Sequence, residues 1–135
     1  MKCLAIIAFL SAFWGCSRTV NENEISGRFE VNQNHSTDEI DVLPSGSYRY
    51  FFKNDSGIEI RNAGGWALEY ESGVPRLVFS RFIFGTPLYR GRPAGIWSVE
   101  IERSWRGKIR LCLNEDLGLY YEKTDFAITI PLKSE

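Results

Sequence analysis

Seven arginines fall between positions 76 and 110: Arg76, Arg81, Arg90, Arg92, Arg103, Arg106 and Arg110. A guanidinium presents a planar fork of N–H donors that matches a carboxylate or phosphate bidentately, and it stacks on aromatic faces. Tyr89, Trp97 and Trp105 are interleaved with these arginines. The pattern points to recognition of an acidic protein partner or of an anionic ligand such as a lipid headgroup or glycan. Arg81, Tyr89, Arg90, Arg92, Trp97, Arg103 and Trp105 are the candidate contact residues. The competing use of these cations is pairing across strands with Glu30, Glu69, Glu71, Glu100 and Glu102, each pair contributing a few tenths of a kcal/mol. Arg90 and Arg92 fit that explanation least well, because they sit in the Gly- and Pro-rich segment 85–95. Loops of that length usually carry a function or a packed fold of their own.

Catalytic constellations are weaker. His35 is the only histidine, flanked by Ser36 and Asp38. Such near neighbours cannot converge on one proton path, and no Gly-x-Ser-x-Gly elbow is present. Glu69 with Glu71, and Glu100 with Glu102, share strand faces as paired carboxylates must, but a solvated strand face accounts for them more simply. Metal binding has one histidine and no clustered cysteines to draw on, and Asp38 and Glu39 face opposite ways on a strand. The expectation is a binding protein rather than an enzyme, with no cofactor.

The elements that must position these residues are strands. Alternation recurs in short runs: Phe29 and Val31; residues 39–42; Tyr48, Tyr50 and Phe52; Ile58 and Ile60; Trp66, Leu68 and Tyr70; residues 76–84; Trp97, Val99 and Ile101; residues 108–113, 119–122 and 126–132. Turn signals separate them at Pro44-Ser45-Gly46-Ser47, Asn54-Asp55-Ser56-Gly57, Asn62-Ala63-Gly64-Gly65, Ser72-Gly73, Arg106-Gly107 and 114–118. Alternation fails at Ser80-Arg81, which suggests a bulge or a change of face. No segment carries a helical apolar period of useful length. The expected fold is all-β, a single small antiparallel barrel or sandwich of eight to ten short strands occupying 25–135, since closure removes exposed strand edges.

The first fifteen residues read as an export signal: Lys2, an uncharged apolar run, then small residues. The run is short for a membrane span, which needs about 20 apolar residues. Gly15-Cys16 resembles the lipobox of bacterial lipoproteins, with Phe13 and Trp14 departing from the usual Leu and small residue. That resemblance implies cleavage before Cys16, lipidation of Cys16, and a polar tether over 16–24. Ser17 after the cysteine resembles outer-membrane lipoproteins. The alternative is an ordinary signal-peptidase site near Ser17 and a soluble, secreted or periplasmic product. Of the three cysteines, Cys3 lies in the signal, and lipidation of Cys16 leaves Cys112 as a lone, packed thiol. Removing Lys2 with the signal leaves 15 basic residues against 17 acidic ones, a balance that argues against nucleic-acid binding. Residues 76–110 nevertheless hold eight basic residues against two acidic ones, the kind of local excess that orients a protein toward an acidic partner.

Gly27-Arg28-Phe29, Leu43-Pro44-Ser45-Gly46-Ser47-Tyr48, and Gly65-Trp66-Ala67-Leu68-Glu69 followed by residues 73–78 resemble the opening half of lipocalin-like domains in small bacterial envelope lipoproteins. The resemblance implies a meandering barrel on a lipid anchor. Metal-handling members of that group carry a CxxC near the first strand; this chain has none, so no metal function carries over. The second half, 82–116, is similar to uncharacterised proteobacterial lipoproteins. The expected function is that of an envelope lipoprotein that binds an acidic partner or anionic ligand through residues 76–110. Two alternatives stand beside it: an inhibitor or immunity-type lipoprotein directed against a cell-wall enzyme, and a carrier holding an apolar ligand inside the barrel.

Overall fold

The computed structural model describes residues 19–31, 35–85 and 90–124. One helical turn, α1 (Glu22–Ile25), leads into eight strands: β1 (Gly27–Glu30), β2 (Ser36–Val42), β3 (Ser47–Asn54), β4 (Glu59–Glu71), β5 (Val74–Phe82), β6 (Gly95–Arg103), β7 (Ile109–Asn114) and β8 (Leu119–Lys123). Each strand pairs antiparallel with its sequence neighbours, and β1 pairs with β8, so the sheet closes into an up-and-down barrel. The all-β expectation thus resolves to a barrel. The strand expected over 126–132 lies outside the described residues.

Alternation along the strands decides what fills it. On β2 and β3 the register sets Val42 opposite Tyr48, Ile40 opposite Tyr50, and Asp38 opposite Phe52, all six buried. Leu77, Phe79, Val99, Ile101, Ile109, Leu111 and Tyr121 complete the interior from the other strands. An eight-stranded barrel is just wide enough for side chains to fill it, and aromatics do most of the filling here. Phe79 stacks on Trp97 at 5.3 Å, Phe82 meets Trp97 at 4.7 Å and Tyr50 at 4.8 Å, and Trp97 touches Tyr121 edge-on at 5.9 Å.

The break expected at 62–65 is absent. β4 runs unbroken for thirteen residues, pairing with β3 through residues 59–65 and with β5 through 66–71. Its glycines serve close approach at this handover rather than a turn. A Cβ on Gly64 would lie 2.5 Å from the Ser80 carbonyl oxygen and 2.9 Å from the Tyr48 ring. The Tyr48 hydroxyl sits at the same crossing, 2.7 Å from Asn62 Oδ1 and 2.8 Å from the Ser80 oxygen. The irregularity expected at Ser80-Arg81 is present: the β5–β6 register shifts between Phe79 and Phe82, and Arg81 has φ +55°.

The polar N-terminal stretch docks earlier than its composition suggests. Val20 is buried, its N–H donating to the Tyr70 hydroxyl at 3.1 Å while that hydroxyl donates to the Val20 carbonyl at 2.8 Å. Asn21 and Glu24 then form a reciprocal capping box that starts α1 and turns the fully buried Ile25 into the barrel mouth.

Gly64→Ala forces the Ser80 backbone or the Tyr48 ring to move, and is expected to lower unfolding free energy by about 1–3 kcal/mol in urea titrations. Gly95→Ala, whose nearest neighbour is the Pro93 oxygen at 3.9 Å, is the control, expected to stay within about 0.5 kcal/mol. Equal midpoints for the two variants would refute the close-approach role of Gly64.

Candidate functional site

In an up-and-down barrel successive connections alternate between ends. The β1–β2, β3–β4, β5–β6 and β7–β8 connections emerge together, here termed the loop end. The β2–β3, β4–β5 and β6–β7 turns lie with α1 at the opposite, or tether, end. Contacts agree with this division. His35 Nδ1 lies 3.2 Å from Asp55 Oδ2 between two loop-end connections, while Arg103, closing β6, bonds Glu24 of α1 at 2.8 Å.

The candidate contact residues therefore do not form one surface. Arg90 and Arg92 are exposed in the β5–β6 connection at the loop end. Arg90 donates to the Gly85 carbonyl from Nε and Nη2 at 3.4 and 3.3 Å, and its guanidinium lies 5.8 Å from the Phe52 ring centroid. Gly85 anchors that connection: its N–H donates to the Tyr50 hydroxyl at 2.9 Å, and a Cβ there would lie 2.2 Å from Phe52 Cγ. Tyr89 and Cys16 lie outside the described residues. Arg81 projects from the wall at the bulge, exposed and without an ion-pair partner among the described residues. Trp97 is an inward-facing member of the aromatic cluster, against the expectation of a partner contact. Its phase with Val99 and Ile101 put it there. Arg103 and Trp105 belong to the tether end. Arg103 lies roughly 27 Å along β6 from the start of that strand, at about 3.4 Å per residue, and Trp105 follows in the turn beyond it.

Pairing accounts for part of the arginine set. Arg110 bonds Glu102 at 3.0 Å and stacks on Tyr120 at 3.9 Å, and Arg76 approaches Glu71 at 3.4 Å while bonding Ser98. Arg103 is held by Glu24 and reaches the Thr19 carbonyl at 3.5 Å, a partnership across 79 residues that local pattern cannot reveal. His35 is exposed beside Asp55 while Asp38 points into the barrel, so no Ser-His-Asp geometry forms at that sequence. Cys112 is only half-buried, in step with the outward-facing Arg110; burial and the nearby carboxylates of Glu102, Glu115 and Glu100 push its thiol up.

Two polar clusters escaped the sequence reading. On the outer wall, Asp41 accepts from Arg28 at 2.7 and 3.1 Å and from Arg49 at 3.2 Å. Inside, Asp38 is 2 % exposed; Oδ1 accepts from the Tyr121 hydroxyl at 2.7 Å, and Oδ2 is buried with no hydrogen-bond partner among the described residues. Burial pushes this carboxyl up to about 6, against the opposing pull of the Tyr121 and Tyr50 hydroxyls. The signal for it was present, since Asp38 keeps step with Ile40 and Val42 and so faces inward if the strand starts before Glu39.

The fold thus defines a closed eight-stranded up-and-down barrel with a packed aromatic interior and two chemically distinct ends. No protein-family model matches the chain, and neither a curated protein nor a solved structure is detectably similar to it.

The folded protein holds the Asp38 proton to about pH 6, whereas the unfolded chain releases it near the ordinary 3.8. Well below pH 4 both states are protonated and ionisation of this carboxyl contributes nothing. Between pH 4 and 6 the unfolded state ionises first, so stability falls as pH rises, by about 3 kcal/mol in total. Above pH 6 the loss is constant. Asp38→Asn is expected to remove this component. Its stability relative to wild type should rise from near zero at pH 4 toward about 3 kcal/mol at pH 7 in paired urea titrations. A difference independent of pH would contradict the assignment.

Proposed function

We propose that the protein is an exported, lipid-anchored barrel of lipocalin-like form that binds an acidic partner or anionic ligand through its β5–β6 connection, without catalysis. The observation that carries this reading is the opposition of the barrel's ends. The chain leaves the export signal and the lipobox-like Gly15-Cys16, and reaches the barrel at Thr19 and Val20, on the tether end. The exposed Arg90 and Arg92 belong to the loop end. An acyl chain on Cys16 would hold the tether end against the bilayer and leave the loop end, which carries Arg90 and Arg92, toward the aqueous side. Gly85, whose N–H donates to the Tyr50 hydroxyl, ties the start of this connection to the barrel interior. The resemblance of Ser17 behind Cys16 to outer-membrane lipoproteins supports residence in the outer membrane. The carrier alternative gains no support from the interior: Tyr48, Tyr50, Phe52, Phe79 and Tyr121 are each 2 % exposed or less and in mutual contact with their neighbours.

The test separates anchor from loop. Metabolic labelling with an alkyne fatty acid is expected to mark wild type and to be lost in Cys16→Ser. A photo-crosslinker at position 92 in cells is expected to give a discrete adduct. The Arg90→Glu/Arg92→Glu double variant, probed by chemical crosslinking, should lose that adduct at least tenfold. An undiminished adduct after charge reversal would sink the loop assignment, and failure of Cys16-dependent labelling would sink the anchor.

A further inference from the structure

We propose that the β6–β7 turn, residues 104–107, is a membrane-contacting edge in which Trp105 seats at the lipid headgroup level beside the anchor. The inference rests on the lipid-anchored reading and adds a second, non-covalent contact to it.

Trp105 is 88 % exposed, while Trp66 and Trp97 pack on the core. The Arg106 guanidinium covers one face of its ring at 4.6 Å. An indole body with a polar N–H, capped by a cation, suits the boundary between acyl chains and headgroups, where tryptophan and arginine concentrate. The tip and its exit carry Arg106 and Lys108 with no acidic residue between Ser104 and Lys108, which suits anionic lipid. Of the carboxylates nearby, Glu24 faces Arg103, Glu102 faces Arg110 and Glu71 faces Arg76, while Glu100 lines the same groove.

Chain length fixes the occupant. Trp105 shares a groove of about 690 Å³ with Val20, Val74 and Pro75. Val20 is bound through both its N–H and its C=O to the Tyr70 hydroxyl, and the Thr19 carbonyl lies 3.5 Å from Arg103. Three peptide steps separate Cys16 from Thr19 and span about 11 Å at full extension. An acylated Cys16 inserted in a bilayer therefore keeps this end of the barrel within reach of the headgroups, and a protein partner covering Trp105 would have to fit beneath it.

The test uses the full acylated protein reconstituted in vesicles of phosphatidylethanolamine and phosphatidylglycerol carrying acyl-brominated lipid, with tryptophan emission as the readout. Wild type is expected to be quenched and blue-shifted relative to the detergent-solubilised protein. Trp105→Phe, a change at an exposed site, should lose most of the quenching and keep the wild-type unfolding midpoint. Intact mass on the same sample reports the acyl chain. An acylated sample whose emission ignores brominated lipid, or whose quenching survives Trp105→Phe, overturns the lipid contact and leaves the anchor standing. A sample without acyl mass overturns the anchored reading itself. Protection of Trp105 by an added protein, with no quenching in vesicles, reassigns the turn to a protein contact and overturns the proposal.

Discussion

Everything in this barrel depends on closing the seam between β1 and β8. Among the described residues that ladder is the shortest, with Phe29–Lys123 and Glu30–Glu122 in register, against seven pairs between β2 and β3. Contacts that reach over or around it supply what the ladder lacks. The Thr124 N–H donates to the Arg28 carbonyl at 2.8 Å, the Lys123 ammonium donates to the Glu24 carbonyl, and Tyr121 on β8 reaches Asp38 on β2 inside the barrel. Each joins residues far apart in sequence, so none is realised until most of the sheet is in place, the situation in which loop-closure entropy slows folding.

The Asp38–Tyr121 bond shows why such a group is tolerated. An apolar pair would fill the same space at lower electrostatic cost, and the unpartnered Oδ2 leaves part of that cost uncompensated. What the bond adds is direction. A hydroxyl inside an aromatic core finds one acceptor, which fixes the register of β8 against β2 across an intervening strand. Tyr50 acts in the opposite sense, its hydroxyl accepting from the Gly85 N–H and tying the β5–β6 connection to the same interior.

Strand phase was legible because it is local. Phe29, Tyr48, Tyr50, Phe52, Val99 and Ile101 could be assigned inward from alternation alone, and the Ser80–Arg81 irregularity announced itself where alternation failed. What could not be read needed a neighbour. Gly64 and Gly65 carry the composition of a turn, and only the approach of Ser80 and Tyr48 shows that they relieve a backbone crossing instead. The arginine-rich region read as one site because its members are close in sequence. β6 carries the chain from one end of the barrel to the other within that region, so proximity along the chain became separation in space. Trp97 and Trp105 make the point together: eight positions apart, one lies in the core cluster and the other stands in solvent.

The double hydrogen bond between Val20 and Tyr70 has a mechanical consequence. Tension applied to the chain ahead of Val20 does not fall first on β1, the strand with the weakest seam. It is taken up at the Tyr70 hydroxyl and passed into β4, whose thirteen residues are bonded on both sides in turn. The capping box of α1, braced by Arg103, lies next in line. A pull from the N-terminus therefore meets two side-chain clamps before it reaches β1 and the seam that β1 forms with β8.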